Sequence, residues 1–279
     1  MSEPLLTKQK PFVISAILQR AWGHTANTKA AIWAPAILSI VLSFIADFIL
    51  TAIFQHTLSH SDPTTIHPLT IFSMQLVNAF VIAVIIAPFI TGMLMVAITR
   101  ARGNTMSMQF GFNFTPSWAK LAAINVIITI FTMIIDLFFS VIMSLVIPVG
   151  LHYTEADMSH AIIGNGVMIL VAIIMLLCYL TFYAFMVFAM PVAIDKQKSI
   201  WAAITTACRI VEPHWLKMVG IEIIVTIIMV ITLLPFSLGI YSMTTWVSVL
   251  CGVISLIILI WSLPYILLIH GEAYHSLTD

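Results

Sequence analysis

The sequence predicts an all-α integral membrane protein with six transmembrane helices arranged as three helix-pair repeats. Three observations carry that expectation. Apolar residues make up 61% of the 279 residues and charged residues only 8%, with a mean hydropathy of +1.12. A soluble globular domain carries about 25% charged residues. Six apolar stretches are each long enough to cross hydrocarbon, which takes roughly 20 helical residues for about 30 Å. All eleven Lys and Arg fall before the first stretch or in alternate connections. The composition excludes a soluble domain, a disordered chain and a nucleic-acid binder. Eleven acidic residues balance the eleven basic ones, so no large field of one sign steers a partner.

The stretches are residues 30–54, 71–99, 121–149, 167–190, 218–241 and 246–269. They are continuous runs, whereas barrel strands would alternate over about ten residues. The first 29 residues hold Lys8, Lys10 and Arg20 and lack the apolar core of a signal peptide, so the first stretch is expected to remain as a span. Lys8, Lys10, Arg20 and Lys29 precede it. Arg100, Arg102 and Lys120 lie between the second and third stretches, and Lys196, Lys198, Arg209 and Lys217 between the fourth and fifth. The positive-inside rule then expects both termini in the cytoplasm. The polar connection 152–166 and the tight turn 242–245 are expected on the outer side. Cys178, Cys208 and Cys251 are far apart and form no metal spacing.

An internal pattern divides the chain. Pro116, Trp118 and Lys120 open the third span as P-x-W-x-K, and Pro213, Trp215 and Lys217 open the fifth 97 positions later. The match continues through Ile124 with Ile221, Asn125 with Glu222 and Thr129 with Thr226. Trp118, Lys120, Trp215 and Lys217 are expected to anchor the two helices at the interface. Pro88, Pro191 and Pro264 each stand near the expected cytoplasmic end of a returning span. The segments 11–24, 105–114 and 199–211 precede the three pairs. The first and third are amphipathic patterns suited to the headgroup layer. The expected organisation is a single membrane domain over 1–279. Residues 1–29 form a cytoplasmic segment, 30–104 hold the first helix pair, and 105–198 and 199–279 are the second and third repeats.

Residues Pro88 to Met93, then Arg102-Gly103, Phe110-Gly111-Phe112, and Pro264-Tyr265 with Ala273-Tyr274-His275 form a pattern. It resembles a group of bacterial six-helix membrane proteins: the YciC-like proteins and the membrane domain attached to some glycerophosphodiester phosphodiesterases. The resemblance implies the six-helix architecture and a bacterial inner (cytoplasmic) membrane. It implies no catalytic residues, and the phosphodiesterase catalytic domain has no counterpart here.

Three acids fall inside the spans: Asp47, Asp136 and Glu222. Each costs about 2.5–3.5 kcal/mol at a helix centre on insertion scales. No Lys or Arg shares the bilayer with Asp47 or Asp136. These two must be neutral, hydrated, hydrogen-bonded or paired with a ligand cation. One reading is a proton or cation relay at a polar midplane site with Asn78 and Asn125. The other is a pair of acids gluing helices together. Glu222, five residues from Lys217, is expected to reach the interface beside it. His56 and His60 share one helix face if the first span continues, a spacing that suits zinc or copper. His270, Glu272 and His275 follow the sixth span as a cytoplasmic cluster.

No nucleophile elbow, metalloprotease, phosphate-loop or C-x-x-C motif is present. A non-enzymatic envelope protein that binds lipid or a membrane partner is therefore expected, without a cofactor. The alternative is a small transporter or channel using Asp47 and Asp136. The expected partners are membrane lipids, with other membrane proteins or a second copy of the chain as further candidates, and no nucleic acid.

Overall fold

The computed structural model describes residues 12–59, 68–152, 158–241 and 244–278. Among the described residues the regular structure is entirely helical. In chain order the helices are α1 (Ile14–Thr25), α2 (Lys29–Ser59), α3 (Pro68–Ala101), α4 (Trp118–His152) and α5 (Met158–Met186). Then come α6 (Ala189–Asp195), α7 (Ile200–Val211), α8 (Trp215–Tyr241) and α9 (Thr245–Thr278). Short 3-10 turns at Met108–Phe112, Thr115–Ser117 and Glu212–His214 lead into the next helices. Six helices, α2, α3, α4, α5, α8 and α9, are long and apolar enough to cross a membrane.

The helices extend beyond the apolar stretches because nothing in the flanks stops them. α5 begins at Met158, so much of the connection expected at 152–166 is helical. No proline interrupts it. α9 runs to Thr278 and takes His270, Glu272 and His275 into the helix. At the other end of α5 the chain breaks before α6. Pro191 lacks the N–H that would bond the Val187 carbonyl, and its ring crowds that carbonyl.

The six long helices follow the order α2, α3, α4, α5, α8, α9, each packed on the next, and α9 returns to α3 and α2. Packing is concentrated at one end. Residues 91–98 of α3, 189–193 of α6 and 266–274 of α9 are continuously buried. The opposite halves expose Phe44, Phe48, Phe138, Leu238 and Trp246. α1 turns Ile17, Ala21 and Thr25 inward at i, i+4 and i+8, and leaves Trp22 outside. α7 does the same with Ala203, Ala207 and Val211.

Two glycines permit the closest approaches. A methyl group at Gly271 would lie 2.5 Å from the carbonyl carbon of Ala97, so α9 crosses α3 almost backbone to backbone. Gly92 of α3 faces the carbonyl of Gly111 in the turn Met108–Phe112, and the Pro35 ring of α2 closes on the same Gly111. Gly103 ends α3 with φ +86°. Its N–H donates to the Arg100 carbonyl at 2.9 Å, and the Asn104 N–H donates to the Thr99 carbonyl at 3.2 Å. This is a Schellman ending.

Candidate functional site: a polar base and a membrane-depth cleft

The packed end is held by side chains that bond across long sequence separations. Arg102 donates to both carboxylate oxygens of Asp195, at 2.8 and 3.0 Å. Tyr274 adds its hydroxyl to the same carboxylate at 2.9 Å. Arg20 donates through Nε to Glu272 at 2.7 Å and through a terminal nitrogen to Ser276 at 3.1 Å. Lys120 donates to the Ala193 carbonyl at 3.2 Å, and Lys217 to the Phe12 carbonyl at 3.0 Å. These bonds gather Arg20, Arg102, Lys120 and Lys217 at one end of the bundle. α9 supplies the acceptors and donors in i, i+4 pairs: Glu272 with Ser276 toward α1, and His270 with Tyr274 toward α8 and α6.

Glu222 does not reach the interface beside Lys217. Its side chain is 2% exposed and its Oε1 lies 3.0 Å from His270 Nε2, which is 3% exposed. Burial on the α8–α9 face favours the imidazole over water as its partner. His270 Nδ1 lies 2.9 Å from the Ile266 carbonyl. A carbonyl only accepts, so Nδ1 carries a proton. Nε2 then either donates to a carboxylate or accepts from a carboxylic acid. One proton is shared between Glu222 and His270 in both arrangements.

The residues expected to form one midplane site are distributed over three contacts. Asn78 of α3 donates to Asp47 of α2 at 2.8 Å. Asn125 of α4 donates to the Ala83 carbonyl of α3 at 2.7 Å. Asp136 is exposed on α4. α3 stands between α2 and α4, and α5 between α4 and α8. Asp47 and Asn78 are thus brought together, and Asp136 is not brought to them. Trp118 donates to the Val84 carbonyl at 2.6 Å, and both Trp118 and Trp215 stay exposed at the first residues of their helices. His56 is exposed, while His60 lies outside the described residues. Among the described residues no three His, Cys, Asp or Glu side chains cluster with metal-site geometry.

The Asp47–Asn78 contact has the geometry of interhelical glue. Asp47→Asn is expected to keep the bond and leave stability within about 0.5 kcal/mol, while Asp47→Ala is expected to cost about 1 kcal/mol, the scale of hydrogen bonds between membrane helices. Unfolding in mixed detergent micelles measures both. A loss as large for Asn as for Ala would show that the acid itself is required.

A mostly apolar cleft runs along α5 and α8. This cleft of about 420 Å³ is lined by Tyr179, Tyr183, Glu222, Thr226, Met229 and Ser237 with apolar neighbours. Its volume falls in the range of small-molecule sites. α5 arrives at the packed base and α8 leaves it, so Tyr183 and Glu222 meet near the base and Met229 and Leu233 continue toward the other side. A second cleft of about 420 Å³, beside Ile45, Ile49, Pro88, Phe89 and Trp118, is almost wholly apolar. The sequence pointed to Glu222 and, in its terminal cluster, to His270 and Glu272. It did not indicate which acid meets which base, because the pairs span 48 to 252 positions. The available signal was two acids, Asp195 and Glu272, at the ends of apolar runs.

Comparison with known proteins returns no match: no family model, no curated protein and no solved structure corresponds to the chain.

Proposed function

We propose that the chain is a non-enzymatic, six-span protein of a bacterial inner membrane that binds one lipid in the α5–α8 cleft. The observation that carries this reading is the arrangement of the cleft: Glu222 and Tyr183 stand at its base end, Met229, Val230, Leu233 and Leu234 lie beyond, and Ser237 closes the far end. Glu222 is seven residues into α8, or about 10 Å from its start at 1.5 Å per residue. A lipid of the leaflet on the base side would place a hydroxyl or amine donor at Glu222 and lay its chain along α8. His270 supports the site by fixing the Glu222 carboxyl from behind.

The gathered Lys and Arg support a cytoplasmic base with both termini on that side. The P-x-W-x-K openings shared by α4 and α8 support an origin in repeats. Transport through Asp47 and Asp136 is the weaker reading. The two acids belong to different helix contacts, and Asp47 is already bonded to Asn78.

Melting in detergent, with and without added membrane phospholipid, tests the cleft. A ligand at a hundredfold its dissociation constant stabilises the folded state by about 2.7 kcal/mol, or roughly 5–10 °C for a chain of this class. Met229→Trp fills the cleft and is expected to lose more than half of the lipid-induced shift. Ile227→Trp, on the exposed face of α8, is expected to keep it. Equal shifts in the two variants would remove the cleft from the account.

A further inference from the structure

We infer that the protein has a second ligand site, separate from the cleft, that takes the phosphate group of an anion where α1, α2 and α3 meet. A cavity of about 170 Å³ there is lined by Asn27, Thr28, Ala31, Arg100, Thr105 and Met106. No acidic side chain lines it.

Arg100 is what makes this cavity a site. Its Nε is buried and has no hydrogen-bond partner. No ion pair forms at Arg100 among the described residues, whereas Arg20 and Arg102 both face carboxylates. A buried, unpaired guanidinium nitrogen is costly, and an oxyanion is the partner that the planar fork fits best. Arg100 is not needed to close α3, since the Gly103 turn already takes the carbonyls of Thr99 and Arg100.

Three further groups converge on the same cavity. Asn27 brings an amide and Thr105 a hydroxyl, both from exposed positions. Ala31 lies in the first turn of α2. The first amides of a helix lack intrahelical acceptors and carry the positive end of the dipole, which favours anions. Thr28 is spoken for, because its hydroxyl donates to the His24 carbonyl at 2.7 Å. The Lys29 ammonium is turned away, over the Trp261 ring. The donor set is therefore Arg100, Asn27, Thr105 and the start of α2. A cavity this small holds the phosphate and leaves the rest of its bearer outside. The bearer is either an anionic phospholipid in the headgroup layer or free phosphate.

Calorimetric titration of the full chain in detergent separates the sources. Inorganic phosphate is one probe and short-chain phosphatidylglycerol the other, each at matched ionic strength. In the Met229→Trp background, whose α5–α8 cleft is filled, saturable binding of at least one probe is expected, weakened tenfold or more when Arg100→Gln or Thr105→Glu is added. Binding of phosphatidylglycerol alone identifies a headgroup site. Binding of both identifies a site for which phosphate suffices. Thr105→Glu lies outside the helices and keeps every topology-setting cation, so it serves if Arg100→Gln fails to insert. No saturable binding of either probe in that background, or binding that Thr105→Glu leaves as tight, overturns the inference. Neither result bears on the α5–α8 cleft.

Discussion

Gly271→Ala is expected to destabilise the protein by about 3 kcal/mol. The added methyl would lie 2.5 Å from the Ala97 carbonyl carbon and 2.6 Å from its oxygen. Both are backbone atoms of α3, so no side chain can rotate away, and the two helices must separate. That separation falls on the buried run 266–274 and on Met93 to Ile98 opposite it. Interiors packed at crystal density transmit such a shift instead of absorbing it. Gly252 is on the same helix, where an added methyl would meet only a Phe236 ring atom at 3.9 Å. Gly252→Ala is expected to be neutral or slightly stabilising, because Ala favours helix over Gly. Chemical unfolding in micelles compares the two. Equal stability would mean that α3 and α9 do not cross at Gly271.

Glu222→Ala is expected to cost about 3 kcal/mol, the range for removing one partner of a buried pair. The loss comes from what is left behind. His270 would keep its bond to Ile266 and have no acceptor or donor at Nε2, in a place from which water is excluded. Glu222→Gln should be far milder, near 1 kcal/mol, because an amide N–H can donate to a neutral imidazole. Replacing both partners with apolar residues, as in Glu222→Leu with His270→Phe, is expected to recover most of the loss. If Glu222→Gln were as damaging as Glu222→Ala, the shared proton itself would carry the stability. If none of the three changed stability, the pair would not exist in the folded protein.

The six long helices were legible because each apolar run exceeds the membrane thickness and no competing period interrupts it. α1 and α7 were legible because their inward residues repeat every three or four positions. The facing of the long helices was not. α2, α4 and α8 are apolar on every side, so no stripe marks the buried face. That is why Asp47 and Asp136, placed by sequence at comparable depth, could be read as one site although they belong to different contacts. α9 was expected to stop near Ile269 because His270, Glu272 and His275 are polar. The helix continues since Glu222 and Arg20 supply partners for the first two of these, and partners 48 and 252 positions away leave no local mark. The P-x-W-x-K openings placed Lys120 and Lys217 correctly at helix starts. Their ammonium groups cap carbonyls of Ala193 and Phe12 instead of projecting freely.

The central claim is that the cleft between α5 and α8 holds a lipid with its polar end at Glu222. Native mass spectrometry of the full chain, released gently from its own membrane, tests it most directly. In the Thr105→Glu background, which blocks the phosphate site, the account predicts a stoichiometric lipid adduct that Ile227→Trp retains and Met229→Trp removes. In that background, a chain that flies without any such adduct, or an adduct that Met229→Trp leaves intact, would contradict it.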